Sequence, residues 1–197
     1  MLYLYFSGEM SSNIKSVQFQ DIEKQTFYIN KIKCTACHEV NDSKVHAGNM
    51  YETDEDERGG EFNFIMKCKY CSNKMTLNIT PIGEVLVNMK FEATQDYEED
   101  FVETALAAKK KERNGKGLKN IIKDESVNDG ALLAMIDCRG SIVEEIVYDE
   151  KNVFKVDVAG NHTIEDLALE DMELYDYDED NECDLSITEV TWTLIKK

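Results

Sequence analysis

The sequence predicts a mainly β protein of two loosely alike lobes. The first carries a four-cysteine metal site, and a charged, partly helical insertion separates the two. Three observations point there. Apolar and polar residues alternate at period two in segment after segment, the pattern of half-buried strands. Two C-x-x-C pairs, Cys34 with Cys37 and Cys68 with Cys71, interrupt those segments; residues 38–67 lie between them, a spacing that a hairpin and its loop bridge. Over residues 95–130 the alternation gives way to acidic, apolar and basic blocks.

Residues 2–6 open the chain as a strand. Segments 14–19 and 26–33 are extended as well, and the second leads straight into Cys34. Residues 50–60 are dense in charge and end in paired glycines, so they read as a solvated loop. Phe62, Phe64 and Met66 then alternate up to Cys68, and Met75, Leu77 and Ile79 alternate beyond Cys71. Thr80-Pro81-Ile82-Gly83 turns the chain. Val85, Val87, Met89, Phe91 and Ala93 follow at period two, the clearest strand pattern present. Knuckle, strand, knuckle, strand is the order of a zinc ribbon.

Within the insertion, Asp96, Glu98, Glu99 and Asp100 precede Phe101, Val102, Ala105, Leu106 and Ala108, which fit a short amphipathic helix. The basic run 109–117 and segment 118–127 complete an insertion outside the core, its cations placed to pair with the acidic body of the molecule. Strand patterns return over 132–138, 142–148, 153–158 and 185–195, with Val190, Trp192 and Leu194 facing the core. The order of strands and turns over 4–32 recurs loosely over 133–158, as in a duplication with metal in one lobe. The expected division is 1–94 for the N-terminal β lobe with its zinc site, 95–130 for the insertion and 131–197 for the C-terminal β lobe, the two lobes able to form one continuous domain.

A chain of 197 residues with 42% apolar and 31% charged side chains suits a soluble globular protein with a real core. The formal net charge of −18 repels phosphate, which argues against nucleic acid and anionic membranes as partners. The apolar start, residues 1–6, is short and lacks a basic lead-in. No apolar run approaches the roughly 18 residues of a spanning helix. Four of the six cysteines stand in metal-type pairs. That usage fits a reducing compartment, cytoplasmic or nuclear, better than a disulfide framework.

Zn²⁺ takes a tetrahedron of soft ligands, and two C-x-x-C knuckles can turn four sulfurs toward one point. Cys34, Cys37, Cys68 and Cys71 are therefore the expected ligands of one zinc ion. Its binding removes the cost of burying thiolates and releases roughly 10–16 kcal/mol in zinc-finger peptides. Lys31, Lys33, Lys67, Lys69 and Lys74 flank the pairs and offset the charge of a four-thiolate centre. Four protein ligands leave no open position for water, so a structural metal is expected rather than a hydrolytic one. His38 adjoins Cys37 too closely to converge with it on one ion. A redox C-x-x-C pair needs a helix starting at the cysteines, and neither 38–43 nor 72–75 carries a helical stripe.

Other candidates are weaker. Asp137-Cys138-Arg139-Gly140-Ser141 lacks the preceding His and the later Arg of a cysteine-phosphatase loop, those places holding Asp137 and Glu144. Cys138 reads instead as a buried strand-end thiol. Residues 165–184 contain many acidic side chains and no basic one. Asp178, Asp180 and Glu182, with Glu189 at the last ligand place, have the outline of an EF-hand, but Cys183 stands where the glycine is required and a strand follows instead of a helix. A solvated acidic loop is the expectation. His38, His46 and His162 are the three histidines, and Gly115-Lys116-Gly117 is not a complete phosphate loop, so no catalytic constellation emerges.

These residues resemble the eukaryotic CXXC-motif-containing zinc-binding protein family. The resemblance rests on Lys33-Cys34-Thr35-Ala36-Cys37-His38-Glu39, Arg58-Gly59-Gly60, Met66-Lys67-Cys68-Lys69-Tyr70-Cys71, Asp137-Cys138-Arg139-Gly140 and Ile187-Thr188-Glu189-Val190-Thr191, in the family's order over most of the chain. It implies a β-sandwich-like protein of two related halves, with one zinc on the residues matching Cys34, Cys37, Cys68 and Cys71, and no established enzymatic activity. Two departures stand out. Residues 95–128 are longer than the family usual, and His38 occupies a place where glycine is common.

The expected function is that of a zinc-binding protein with a structural four-cysteine site. It is a non-enzymatic module that meets a protein partner through its knuckle face or its acidic surface, with no small-molecule substrate indicated. Metal transfer or thiol exchange through the C-x-x-C pairs is the alternative from the enzyme class. RNA binding through the lysines around the knuckles is a third reading.

Overall fold

Short alternating segments build the strands. The computed structural model describes residues 1–21, 26–42, 44–48, 51–52, 60–118, 130–149 and 151–196. β1 (Leu2–Met10), β2 (Ile14–Phe19) and β3 (Phe27–Cys34) open the chain, and the short β4 (Val40–Asn41) and β5 (Val45–Ala47) pair back onto β3. β6 (Tyr51–Glu52) and β7 (Glu61–Phe62) pair with each other. β8 (Phe64–Lys67) and β9 (Lys74–Pro81) form the hairpin that carries the second C-x-x-C pair. β10 (Leu86–Val87), a 3-10 turn over Asp96–Glu98 and helix α1 (Phe101–Gly115) come next. The second half runs β11 (Ala131–Arg139), β12 (Ser141–Tyr148), β13 (Val153–Val158), β14 (His162–Ala168), β15 (Leu174–Asp178) and β16 (Cys183–Lys196).

The strand orders contain a pseudo-two-fold. One sheet runs β15-β16-β1-β11-β9-β8, another β10-β2-β13-β14, and a third β12-β3-β4 with β5 also on β3. Exchanging β1 with β11 and the β8–β9 hairpin with β15–β16 maps the first order onto itself. Exchanging β2 with β12 and β3 with β13 turns the pair β2–β13 into β12–β3. The molecule is thus mainly β, sandwich-like and made of two related halves, whose strands lie side by side in all three sheets. The two C-x-x-C turns of the first half correspond to the β13–β14 and β15–β16 turns of the second.

Leu4, Phe6, Ile14, Ile29, Ile32, Met75, Leu77, Leu133, Ile136 and Phe154 fill the space between the sheets and are fully buried. Trp192 stacks near Phe6, centroids 4.7 Å apart, and Phe19 lies 4.7 Å from Phe154. Each such ring removes a large apolar area from water, which makes this aromatic group a main source of stability. Among the described residues no helix is long and apolar enough to cross a membrane.

Three expectations need correction. Residues 85–93 are not a strand: pairing lasts for Leu86 and Val87 alone. At Asn88 the chain turns, because its buried amide donates to the carbonyls of Ser11 and Ile14 and its side-chain oxygen accepts from the Lys90 N–H. Met89 is exposed, and Phe91 packs edge-on against Phe101. The apolar period there records separate contacts.

The helix runs past Ala108 to Gly115, through the basic residues, and the insertion is not outside the packed body. Lys109 and Arg113 are buried. Arg113 forms a two-bond pair with buried Glu84, 2.7 Å each, and Glu84 also accepts from the Leu132 N–H at 2.8 Å. The expected pairing of insertion cations with the acidic body takes this form. Leu118 joins Tyr3, Tyr5 and Leu132 in a second, smaller apolar cluster.

Residues 165–184 are likewise not one solvated loop, since β14 continues to Ala168 and β15 pairs with β16. Their acids take mostly outward places, and that composition hides the strands. Residues 50 and 53–59, with Arg58 and Gly59, and residues 119–127 of the insertion lie outside the described residues.

Candidate metal centre

Each C-x-x-C pair closes a turn of the same build. The Cys34 N–H donates to the Glu39 carbonyl at 3.0 Å and the His38 N–H to the Cys34 carbonyl at 3.0 Å. In the second turn the Cys68 N–H donates to the Asn73 carbonyl at 2.8 Å and the Ser72 N–H to the Cys68 carbonyl at 3.0 Å. His38 and Ser72 are the equivalent residues, with left-handed φ of 64° and 60°. Glycine adopts that conformation at no steric cost, which accounts for a glycine preference at the place of His38. With His38 in place the first knuckle keeps the same pair of backbone bonds as the second.

The two turns bring the four sulfurs within 4.8 Å of one another. Cys34 Sγ lies 3.7 Å from Cys71 Sγ, and Cys37 Sγ 3.6 Å from Cys68 Sγ. A Zn–S bond of about 2.3 Å implies tetrahedral S–S edges of about 3.8 Å. These two edges suit zinc and are far from the roughly 2.05 Å of a disulfide. Cys34 and Cys68 are buried, Cys37 is half-buried and Cys71 is exposed.

Backbone N–H groups aim at the sulfurs. The Cys37 N–H above all, with the Ala36 N–H and the Asn73 amide, holds the Cys34 thiol down at about 6 against the opposing effect of burial. The N–H groups of Tyr70 and Cys71 lower Cys68. At Cys37 the Glu39 N–H favours the thiolate, but burial and the other three sulfurs together push it up to about 12. Without a metal the cluster holds sulfurs that ionise readily beside one that resists. A divalent soft cation removes that conflict, and its binding releases the remaining protons.

A third turn supports the two knuckles. Between β11 and β12, the Gly140 carbonyl accepts from Asn73 Nδ2 and from the Thr35 N–H, both at 3.1 Å. Asn73 Nδ2 also lies 3.5 Å from Cys34 Sγ. Gly140 has φ +70°, and a Cβ there would run into the Lys74 carbonyl. Sequence reasoning contains Gly140 as part of a motif without a role and does not find Asn73. An asparagine two places after a C-x-x-C pair is its only local signal.

The lysine collar is partly occupied. Lys31 pairs with Glu145 of β12 at 3.1 Å, and Lys67 faces Lys74 across the neck of the hairpin. Like charges in that register repel.

The remaining candidates lie elsewhere. Cys138 is half-buried against the core, and burial pushes its thiol up. Cys183 Sγ accepts from Asn13 Nδ2 at 2.8 Å. The EF-hand outline does not converge: Asp178 and Asp180 meet His162 rather than Glu182 and Glu189. Asp178 accepts from the N–H groups of Asp180 and Asn181 and from Asn181 Nδ2, so it shapes the β15–β16 turn.

Comparison with known proteins agrees with this geometry. The family described as CXXC motif containing zinc binding protein, eukaryotic, matches residues 3–195. UPF0587 protein YCR090C of Saccharomyces cerevisiae is 26% identical over 196 residues, covering 99% of this chain and 98% of that protein. The crystal structure of C1orf123 has the same fold, with a TM-score of 0.64 and 16% identity over 100% of this chain and 99% of that one. A hypothetical protein from Plasmodium falciparum follows with a TM-score of 0.58 and 17% identity, covering 98% and 97%. With paired knuckles, a four-cysteine cluster suited to zinc and a match along nearly its whole length, the chain belongs to the eukaryotic CXXC motif-containing zinc-binding protein family.

Proposed function

We propose that Cys34, Cys37, Cys68 and Cys71 hold a single zinc ion as a structural fastener, and that the protein acts without catalysis, presenting its surface to a protein partner. The observation that carries this reading is the cluster of four sulfurs. Four protein sulfurs within 4.8 Å of one another, two of their edges at 3.6 and 3.7 Å, would fill the coordination sphere of zinc and leave no place for a reacting water. The ion would join β3 to the β8–β9 hairpin and, through Gly140, to the β11–β12 turn of the other half. Elemental analysis and thermal unfolding of Cys68→Ser test it. Loss of zinc with a lower Tm is expected; full zinc content and an unchanged Tm would overturn it.

The exposure of Cys71 favours a second reading, exchange of metal or thiol at that corner. It expects zinc to pass quickly to a mild chelator, and iodoacetamide to label Cys71 in the zinc-loaded protein before buried Cys34. Thiols that stay protected while zinc is bound would exclude it. RNA binding by the lysine collar has the net charge of −18 against it.

A further inference from the structure

β15 is an outer strand of the six-stranded sheet, and among the described residues its ladder partner is β16 on one side. Tyr175 and Tyr177, two residues apart and so on one face, are 68% and 50% exposed. The Tyr177 N–H donates to the Asp176 carboxylate at 2.8 Å. The Tyr175 hydroxyl donates to Glu173 at 3.0 Å. Exposed Glu173 and Asp176 bond to the pair, exposed Asp184 lies opposite Tyr177, and exposed Glu179, Asp180 and Glu182 follow in the β15–β16 turn.

Acidic side chains on an outer strand are a known guard against edge-to-edge aggregation. That guard accounts for the acids but not for the tyrosines. Two large rings displayed side by side on an edge raise the risk the charges would lower. Rings, carboxylates and an open ladder together suit one kind of occupant. An extended segment with basic residues at alternate positions could bond to the edge, lay cations on the rings and reach the carboxylates. The charge of −18 would steer such a segment inward.

We propose that the outer edge of β15 is a docking strand for a lysine- or arginine-rich extended segment of a partner protein, which adds to the sheet against Tyr175, Tyr177 and Asp176. This rests on the reading of the protein as an interaction module and names the surface and the partner chemistry. On binding, the Asp176 carboxylate leaves the Tyr177 N–H and meets an incoming cation, and the N–H joins the new ladder.

The test is fluorescence anisotropy with a labelled peptide alternating lysine and threonine. Its control has the same charge but N-methylated backbone groups that cannot form a ladder. The zinc-loaded protein should bind the first peptide, more weakly as salt rises. Affinity should fall about tenfold or more for the control, for Tyr175→Thr with Tyr177→Thr, and for Asp176→Lys. Hydrogen exchange should slow at the amides of Tyr175 and Tyr177. Zinc content and Tm show whether each variant is folded, and Asp176→Lys, at an exposed side chain, serves if the double variant is not. Equal binding of both peptides, unchanged binding by a folded variant, or no binding at low salt would each overturn the proposal. If the peptide fails while a protein partner is found to dock on the knuckle face, the interaction reading stands and this edge is not its site.

Discussion

Lys15 Nζ lies 2.5 Å from Glu98 Oε1, both side chains almost fully buried, with the rings of Phe91 and Phe101 each 5.7 Å from the ammonium. Glu98 also accepts from the Gly160 N–H at 2.8 Å and from the Thr94 N–H and hydroxyl at 3.1 and 3.0 Å. Burial alone would raise its carboxyl, yet Lys15 and these donors hold it down at about 2. A carboxylate lowered in the fold contributes stability above its ordinary value of 4.5 and loses it as pH falls through about 2. Thermal melts from pH 5 to pH 2 should therefore show a steeper fall for the wild type than for Glu98→Gln. At pH 7 that variant should already be less stable by about 3–5 kcal/mol, because Lys15 is left buried without its charge partner. Parallel melting curves would place the acid sensitivity elsewhere. Gly140→Ala should cost about 2 kcal/mol from the left-handed backbone and make zinc easier to extract by a competing chelator. The cysteines were legible because ligand chemistry and spacing sit within four residues of chain. Gly140 was not, since it meets Asn73 across a separation of 67.

Elements were legible where one face alone decides burial. β13 shows its alternation openly, and the pattern that suggested it is the pattern of its burial. In β2 and β9 the polar Lys15, Ser16 and Thr76 are buried as well, so both faces are covered there. The segment after Gly83 shows the same alternation without the strand, because a side-chain amide at Asn88 replaces the ladder. α1 errs the other way: its inner face is closed by Lys109 and Arg113, residues that read as solvent-facing in any helical projection. Their partners, Gly130 and Glu84, come from other parts of the chain. Arg113→Ala should leave Glu84 buried and unpaired, lower stability by about 3–5 kcal/mol and speed amide exchange in α1 before the sheets. Arg113→Lys should restore only part of the loss, since an ammonium cannot make the two-bond contact. Exchange in α1 that matches the wild type would show the helix to be held by its apolar face.

Across the whole molecule, two corresponding tips are built with different chemistry. In the first half four sulfurs converge. In the second, Asn181 Nδ2 bridges Asp178 at 2.7 Å and the Ala159 carbonyl at 3.1 Å, tying the β15–β16 turn to the β13–β14 turn. Chelation should accordingly raise hydrogen exchange around residues 34–41, 67–74 and 140 and leave 159–162 and 178–183 near their starting rates. Asn181→Ala should do the reverse with zinc content intact. The loose repeat over 4–32 and 133–158 was visible in the sequence. The interleaving of the halves was not, because which strand lies beside which is a property of pairs far apart in the chain.

That interleaving sets a timetable. β1 lies between β11 and β16, with Leu2 opposite both Ile136 and Lys196. β1 therefore waits for β16, far later in the chain, before both its edges are covered. Contacts of such long range are slow to form. The β8–β9 hairpin and its knuckle pair locally, so this half of the metal-binding corner can order while β1 is still searching. A nascent chain halted before β16 should expose the apolar edge of β1, making translation pauses near residue 183 the point at which aggregation of this protein is most easily provoked.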